Sequence, residues 1–340
     1  MKALVLHNVN DLRLEEVPTP VPKADEVLIR TRAATICTSD LIDIARNPFG
    51  IQMPIVIGHE GAGVVEAVGG AVRGFKSGDA VTAHPVIPCG QCAACRRGLG
   101  HLCDRMDHLG VYRNGVFAEY FTIRADRVRM KPDRLSFAQS TLMEPVCVCM
   151  EALDRANVRE GGNVLVIGDG PFGVIISKLC FARNPKRVVF VGRHDYRLSQ
   201  VPGAIAINEK LTENVVDDIL RATDGEGVDS AILAVGSARA MDICVESLRA
   251  RGTLAVFSAL DGKTPIDLFK LHVKELQING SCNDQDCLDA ALSALCDERL
   301  NLGALITHEL PLERFEEAIN LARNGKDSAL KVSMIFGGTV

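Results

Sequence analysis

The chain lacks an excess of positive charge, a long apolar run and any low-complexity tract, and each absence removes a class of function. Its 38 lysines and arginines are outnumbered by 43 aspartates and glutamates, giving a net charge of −5. The basic footprint that nucleic-acid binding needs is therefore missing. No run of about 18 apolar residues is present to span a bilayer. Met1 to Asn10 mixes strand-like sequence with charge and does not place an apolar core behind a basic start. A secretory signal is not expected, and a cytoplasmic location is. Internal repeats are absent as well. Neither a nucleic-acid partner nor a membrane is therefore expected.

What is present fits a globular protein of two domains: 340 residues, 47% hydrophobic and 24% charged. Twelve cysteines would suggest disulfides in a short secreted chain. In a long chain without an export signal they point to metal binding or catalysis.

Up to about residue 150 the sequence reads as short strands broken by Gly and Pro. "KALVL", "LRLEEV" and "EVLIRTRAA" come first, then a Gly/β-branched stretch from Val56 to Val68 and "SGDAVTAHPV". After Met150 the pattern changes. "NVLVIG" (163–168), "RVVFVG" (187–192), "SAILAVG" (230–236) and "GTLAVFSA" (252–259) read as buried strands. Helical segments at Pro171–Ala182, Val215–Thr223 and Ala240–Ala250 lie between them. Strand alternating with helix predicts a doubly wound parallel sheet. A tail from about 286 carries an amphipathic helix at Leu312–Asn324 and a final strand, "LKVSMIF".

Cys89, Cys92, Cys95 and Cys103 follow C-x2-C-x2-C-x7-C, with Pro88 and Gly90 available for tight turning. Four thiolates so close in sequence can enclose a tetrahedral zinc and leave no open position, so this metal is expected to be structural. An iron–sulfur cluster fits the rest of the chain less well. A second group is more scattered: Cys37 in "ICTSD", His59 and Glu60 in "GHE", and Glu144 in "MEP". One thiolate, one imidazole and carboxylates form a ligand set that zinc accepts, with room for substrate. Taken singly, each residue also has an ordinary reading, as a buried thiol, a satisfied histidine or a solvated acid.

Gly168-Asp-Gly170-Pro171-Phe172-Gly173 fits G-x-G-x-x-G between a predicted strand and a predicted helix. Gly168 permits the tight turn, Gly170 lets the backbone approach a pyrophosphate, and Gly173 allows close helix–strand packing. NAD-binding proteins of this kind end the second strand in an acid that holds the ribose 2′-hydroxyl. Here that strand ends at Gly192, followed by Arg193 and His194. Glycine leaves room and arginine can bind a 2′-phosphate bidentately, with Arg197 assisting, so NADP is the expected cofactor. NAD remains the alternative, with Asp195 as the ribose acid.

"ICTSD", "GHEGAGVVEAVG", the cysteine lobe, "MEPVCV" and "VLVIGDGPFG" occur in the order and spacing of the zinc-containing medium-chain dehydrogenase/reductase family. The sequence resembles its sorbitol, threonine and sugar-acid branch over essentially its whole length. The resemblance implies an α/β fold, with a GroES-like β-rich catalytic domain at 1–150 carrying the zinc lobe at 88–104. It also implies a Rossmann domain at 151–285, a segment at 286–340 returning to the catalytic domain, and an active site in the cleft between the domains.

By the same resemblance Cys37, His59 and Glu60 hold catalytic zinc, Glu144 completes the shell or approaches it, and Asp40 orients the ligating histidine. The family's first proton acceptor corresponds to Ser39. Many members place a relay histidine three residues later, where this chain has Ile42; Asp43, the ribose or water would have to substitute. The implied protein is a homodimer or homotetramer with two zinc ions per chain. Its expected reaction is hydride transfer between a secondary alcohol of a polyol, sugar or sugar acid and NADP. The alternatives are an NAD-dependent threonine or simple alcohol dehydrogenase, and a non-catalytic cofactor-binding regulatory protein. Tyr112, Arg113 and Arg46 are candidates for the substrate pocket. The other histidines, His108 among them, are expected to be structural or surface residues, and the remaining cysteines inert thiols in apolar or helical contexts.

Overall fold

The structure, a computed structural model, describes residues 1–258 and 262–337. Ala259, the last residue of the strand expected at 252–259, lies outside them, as does 338–340 of the expected tail. The chain divides into two compact units. One is Met1–Cys147 with the stretch that starts at Gln285, and the other is Val148–Asp284. The first division falls inside the helix Met143–Arg155, so no Gly- or Pro-rich linker marks it. Among the described residues no helix is long and apolar enough to cross a membrane.

The first unit is built from short strands. Lys2–Asn8 lies between Asp11–Glu16 and Ile55–Val56 in an antiparallel sheet. A second sheet runs in the order Val128–Met130, Ala80–Ala83, Glu60–Val68, Glu26–Thr35, Lys331–Ile335, Ile306–Pro311, and Tyr120–Arg124 also pairs with Glu26–Thr35. The central strand, EVLIRTRAAT, is buried along almost its whole length, which explains its run of apolar and β-branched residues. Leu4, Leu6, Ile29, Ile57, Phe117, Phe121 and Met334 share one apolar core with it. Each such side chain contributes roughly 1.5–3 kcal/mol on leaving water.

The register of this sheet sets up the chemistry. Thr35 stands opposite Glu60 on one side and Ser333 on the other. Cys37 and Lys331 lie two residues from that shared rung, so three stretches distant in sequence converge at one strand end. The helix expected at Leu312–Asn324 is a 3-10 turn, Leu312–Arg314, followed by the α-helix Phe315–Asn324.

In the second unit six strands pair in parallel, in the order Ile205–Asn208, Arg187–Gly192, Asn163–Ile167, Val228–Leu233, Leu248–Val256, Gln277–Gly280. The order reverses at Asn163–Ile167, which creates the crevice where such sheets bind ligands. Asn163–Ile167 is buried at every position, as expected of a strand covered on both faces. Leu165 and Ile167 share a core with Val215, Ile219, Met241 and Cys244 from two helices. The helix expected to run to Ala250 ends at Ser247, because Leu248 turns extended and pairs with Val228.

Candidate functional site

In the first unit Cys37 is the N-cap of the helix Thr38–Arg46, and Asp40 is its third residue. The Cys37 N–H donates to Asp40 Oδ2 at 2.8 Å, the reciprocal half of a capping box. The other carboxylate oxygen, Oδ1, stands 3.0 Å from Nδ1 of His59. His59 follows Gly58, whose φ of +90° and closeness to the Phe117 ring (2.3 Å from where a Cβ would stand) exclude a side chain there. The ligand atoms of Cys37, His59 and Glu60 all lie within 4.8 Å of one another, and all three residues are buried. With Nδ1 committed to Asp40, Nε2 is the imidazole atom left to bind a metal.

Glu60 has a partner that the sequence reading missed. Lys331, in the C-terminal strand, donates to both of its oxygens, 2.7 Å to Oε2, and to the carbonyl of Ile36 at 3.4 Å. The signal was a lysine inside an apolar strand, "LKVSMIF", and a buried lysine is rarely without an acid. Burial pushes Glu60 up to about 7; Lys331 opposes this and the neighbouring Glu144 adds to it. Glu144 is buried, and its Oε2 has no hydrogen-bond partner among the described residues. It is not one of the three residues whose ligand atoms converge. One ammonium thus faces a thiol and two carboxyls, a donor set that a divalent cation would complete. The residues fit zinc.

Ser39 is partly buried on the same helix, as is Ile42, while Asp43 is buried. Asp43 Oδ1 has no hydrogen-bond partner among the described residues. Burial, and then Asp40, push its carboxyl up to about 6 against the pull of His59. His108 belongs beside these residues: its ring centroid lies 5.7 Å from that of His59, and its Nδ1 is 2.7 Å from the carbonyl of Leu109. Burial first, and His59 second, push it down to about 3, keeping the ring neutral. Nothing in its local sequence distinguishes it from the other histidines.

The pocket candidates fare differently. Arg113 is engaged with Glu26 at 2.9 Å and with Thr122 Oγ1 at 3.0 Å, which makes it a buttress of the fold. Tyr112 is exposed. Arg46 lies in the last turn of its helix. Cys282, expected to be an inert thiol in an apolar or helical context, is exposed.

The lobe cysteines converge. Sγ–Sγ separations are 3.5 Å for Cys92–Cys95, 3.7 Å for Cys92–Cys103 and 4.0 Å for Cys89–Cys95. A tetrahedron with Zn–S bonds of roughly 2.3 Å has edges of about 3.8 Å, which these three separations approach, and all four sulfurs lie within 4.8 Å of one another. Backbone N–H groups of Gln91, Cys95 and Arg105 donate to Cys89, Cys92 and Cys103 respectively, as suits thiolates. The Gln91 N–H is the largest influence that brings Cys89 down to about 6.

In the second unit the glycine loop has the form a pyrophosphate needs. Gly168 has φ +117°, and a Cβ on Gly173 would meet the Gly168 carbonyl oxygen at 1.7 Å. A Cβ on Gly170 would meet nothing within 4 Å, leaving the backbone approachable. The helix Pro171–Cys180 starts there without a side-chain cap, so no capping side chain competes with an anion for the N–H groups that follow Pro171. The Phe172 ring packs against Phe257, centroids 5.3 Å apart. A nicotinamide dinucleotide fits this loop.

The end of the second strand differs from expectation. The space beside Gly192 is filled by the Asp169 side chain, 2.5 Å from where a Gly192 Cβ would stand. Asp169 Oδ2 accepts the N–H groups of Arg193 and His194 at 2.7 and 2.8 Å and lies 2.9 Å from His194 Nδ1. Arg193 pairs with Glu209, 3.1 Å away. Arg197 is buried in the following helix, and Asp195 accepts from Asn208 at 2.7 Å. Asp169 is the residue that sequence reasoning passed over, since that position of the motif tolerates any side chain.

Comparison with known proteins agrees with both units. Residues 23–133 match the alcohol dehydrogenase GroES-like domain, and residues 171–295 match the zinc-binding dehydrogenase domain. The chain is 30% identical to the sorbitol dehydrogenase of Bacillus subtilis (strain 168), across 98% of this chain and 96% of that one. It is 32% identical to the L-threonine 3-dehydrogenase of Pyrococcus horikoshii, across 92% of each. A crystal structure described as a zinc-binding dehydrogenase of Sinorhizobium meliloti 1021, bound to NADP, superposes with a TM-score of 0.91 at 25% identity, covering 98% of both chains.

Proposed function

The chain belongs to the zinc-containing medium-chain dehydrogenase/reductase family, and we propose that it oxidises a secondary hydroxyl of a polyol, sugar or sugar acid with a nicotinamide dinucleotide as hydride acceptor. The observation that carries this reading is the convergence of Cys37, His59 and Glu60 within 4.8 Å, with Asp40 behind the histidine. A zinc ion held there supplies Lewis acidity, which lowers the pKa of a substrate hydroxyl. Asp40 fixes the His59 tautomer so that Nε2 can bind. Lys331 holds Glu60 and offsets its charge, while Glu144 Oε2, without a hydrogen-bond partner among the described residues, would complete the shell.

Ser39 takes the proton from the substrate hydroxyl. Ile42 cannot pass it on, and Asp43, one helical turn beyond Ser39, is the group on this chain able to receive it. The glycine loop 168–173 holds the cofactor's pyrophosphate. The similar sorbitol dehydrogenase supports a polyol, and the L-threonine 3-dehydrogenase supports an amino-alcohol as the second reading. NADP is favoured by Arg193 and by the NADP-bound relative, NAD by the carboxylate beside Gly192. The open edge strand Gln277–Gly280 and the exposed Leu268, Phe269 and Val273 support a homo-oligomer. Light scattering after size exclusion tests that assembly.

The reaction is tested by following nicotinamide absorbance over a panel of polyols, sugars, aldonates, threonine and simple alcohols, with chelator-treated protein as control. Chelator-sensitive turnover of a polyhydroxylated substrate is expected. Turnover confined to threonine moves the assignment to the second reading, and turnover that survives complete metal removal overturns the mechanism.

A further inference from the structure

Two consecutive backbone N–H groups at the end of a strand form a concavity suited to an anion. In this protein that concavity, at Arg193 and His194, already holds an anion of the chain's own: Asp169 Oδ2 accepts both N–H groups and faces the His194 ring. Burial alone would push this carboxyl up, but the two N–H groups and the imidazole outweigh it and hold it below the usual carboxylate range. Asp169 therefore stays charged at neutral pH. Gly192 is needed for this arrangement, since a Cβ there would stand 2.5–2.8 Å from three Asp169 side-chain atoms. The cation beside it is also engaged, since the Arg193 guanidinium pairs with Glu209.

We infer that Asp169, delivered from the glycine-rich loop, is the residue that selects NAD over NADP in this protein. A 2′-phosphate placed at the end of the second strand needs N–H donors and a cation. Here the donors are consumed by a carboxylate, and the same carboxylate repels a dianion. A ribose 2′-hydroxyl meets neither obstacle, and a carboxylate at this strand end is the group that accepts from it. The acid that NAD-binding sheets carry on the second strand is thus supplied from the first strand–helix turn. This inference rests on the nicotinamide-dependent reading of the protein and deepens it.

The test is equilibrium binding of NADH and of NADPH, read from nicotinamide fluorescence in the absence of substrate. Wild-type protein is expected to bind NADH at least about tenfold more tightly than NADPH. D169G empties the concavity and removes the charge, so it is expected to strengthen NADPH binding and weaken NADH binding, reversing the order. D169N keeps the shape and loses the charge, guards against a folding artefact, and is expected to move the ratio part of the way. A residue that merely capped the turn would change both affinities together and leave their ratio fixed. An unchanged ratio in both variants, or wild-type protein that prefers NADPH, overturns the selection while leaving the dinucleotide reading intact. Wild-type protein that binds neither nucleotide overturns both.

Discussion

Asp40 Oδ1 lies 3.0 Å from His59 Nδ1, while its other oxygen accepts the backbone N–H of Cys37 at 2.8 Å. One carboxylate thus orients two residues of the proposed metal site, one through its ring and one through its main chain. D40N tests this with little change of shape. The Asn oxygen can still accept from Cys37, but its NH2 then faces Nδ1 and drives the imidazole proton onto Nε2, the atom the metal requires. Zinc affinity at this site is expected to fall roughly 10–100-fold, measured by metal analysis after dialysis against a competing chelator. Retention equal to wild type would show that Asp40 has no such role.

The Lys331–Glu60 pair predicts a coupling between metal and stability. Breaking a buried pair leaves an uncompensated charge and costs about 3–5 kcal/mol. A zinc ion held beside Glu60 would be a second cation able to compensate it. K331M is therefore expected to be destabilised most when metal is stripped, and stripping should cost it more than it costs wild type. Urea unfolding of both proteins, with and without metal, measures the difference. Equal costs would mean that Lys331 and the metal do not share Glu60. Adding E60Q to K331M removes the stranded charge and should recover much of the loss.

How far the sequence carried these features depends on how local their signals are. The four-cysteine lobe and the loop 168–173 are contiguous, and their spacing alone specifies turn geometry and ligand number. Cys37, His59 and Glu60 are separated, and only motif order marked them; the shared rung of Thr35, Glu60 and Ser333 is what brings them together. Lys331 was illegible as Glu60's partner because their pairing spans 271 residues. His108 reaches His59 through loop folding that no periodicity encodes. Asp169 was passed over for another reason: the motif leaves its position open, and only the backbone beyond Gly192 reveals what its carboxylate does. The break between the units was blurred because it falls inside a helix.

Sulfur geometry in the lobe predicts the order of thiol reactivity. A zinc ion held by sulfurs 3.5–4.0 Å apart would engage their lone pairs and slow their reaction. Cys282 is the exposed cysteine among the described residues and is expected to react first with a thiol reagent in native protein. Chelation should then release Cys89, Cys92, Cys95 and Cys103 together, in step with zinc loss. Mass mapping of the modified cysteines checks this order. Lobe cysteines labelled rapidly in zinc-replete protein would rule out a closed site.

Asp43 offers a pH signature. Its carboxyl is pushed up to about 6 from the ordinary 3.8, first by burial and then by Asp40, with His59 opposing. The folded state therefore binds this proton more tightly than the unfolded state does. The stability Asp43 contributes is fully present below the unfolded value and is lost as pH rises through the folded one. Asparagine does not titrate, so the stability of D43N relative to wild type should grow from pH 4 towards pH 7 and then level off. Urea midpoints of both proteins across that range measure it, and shared losses such as metal release cancel in the comparison. A difference independent of pH would mean that Asp43 is ionised at its ordinary value. If Asp43 also receives the proton from Ser39, D43N lowers kcat and leaves KM in place, which distinguishes a relay from a residue that only burdens the fold.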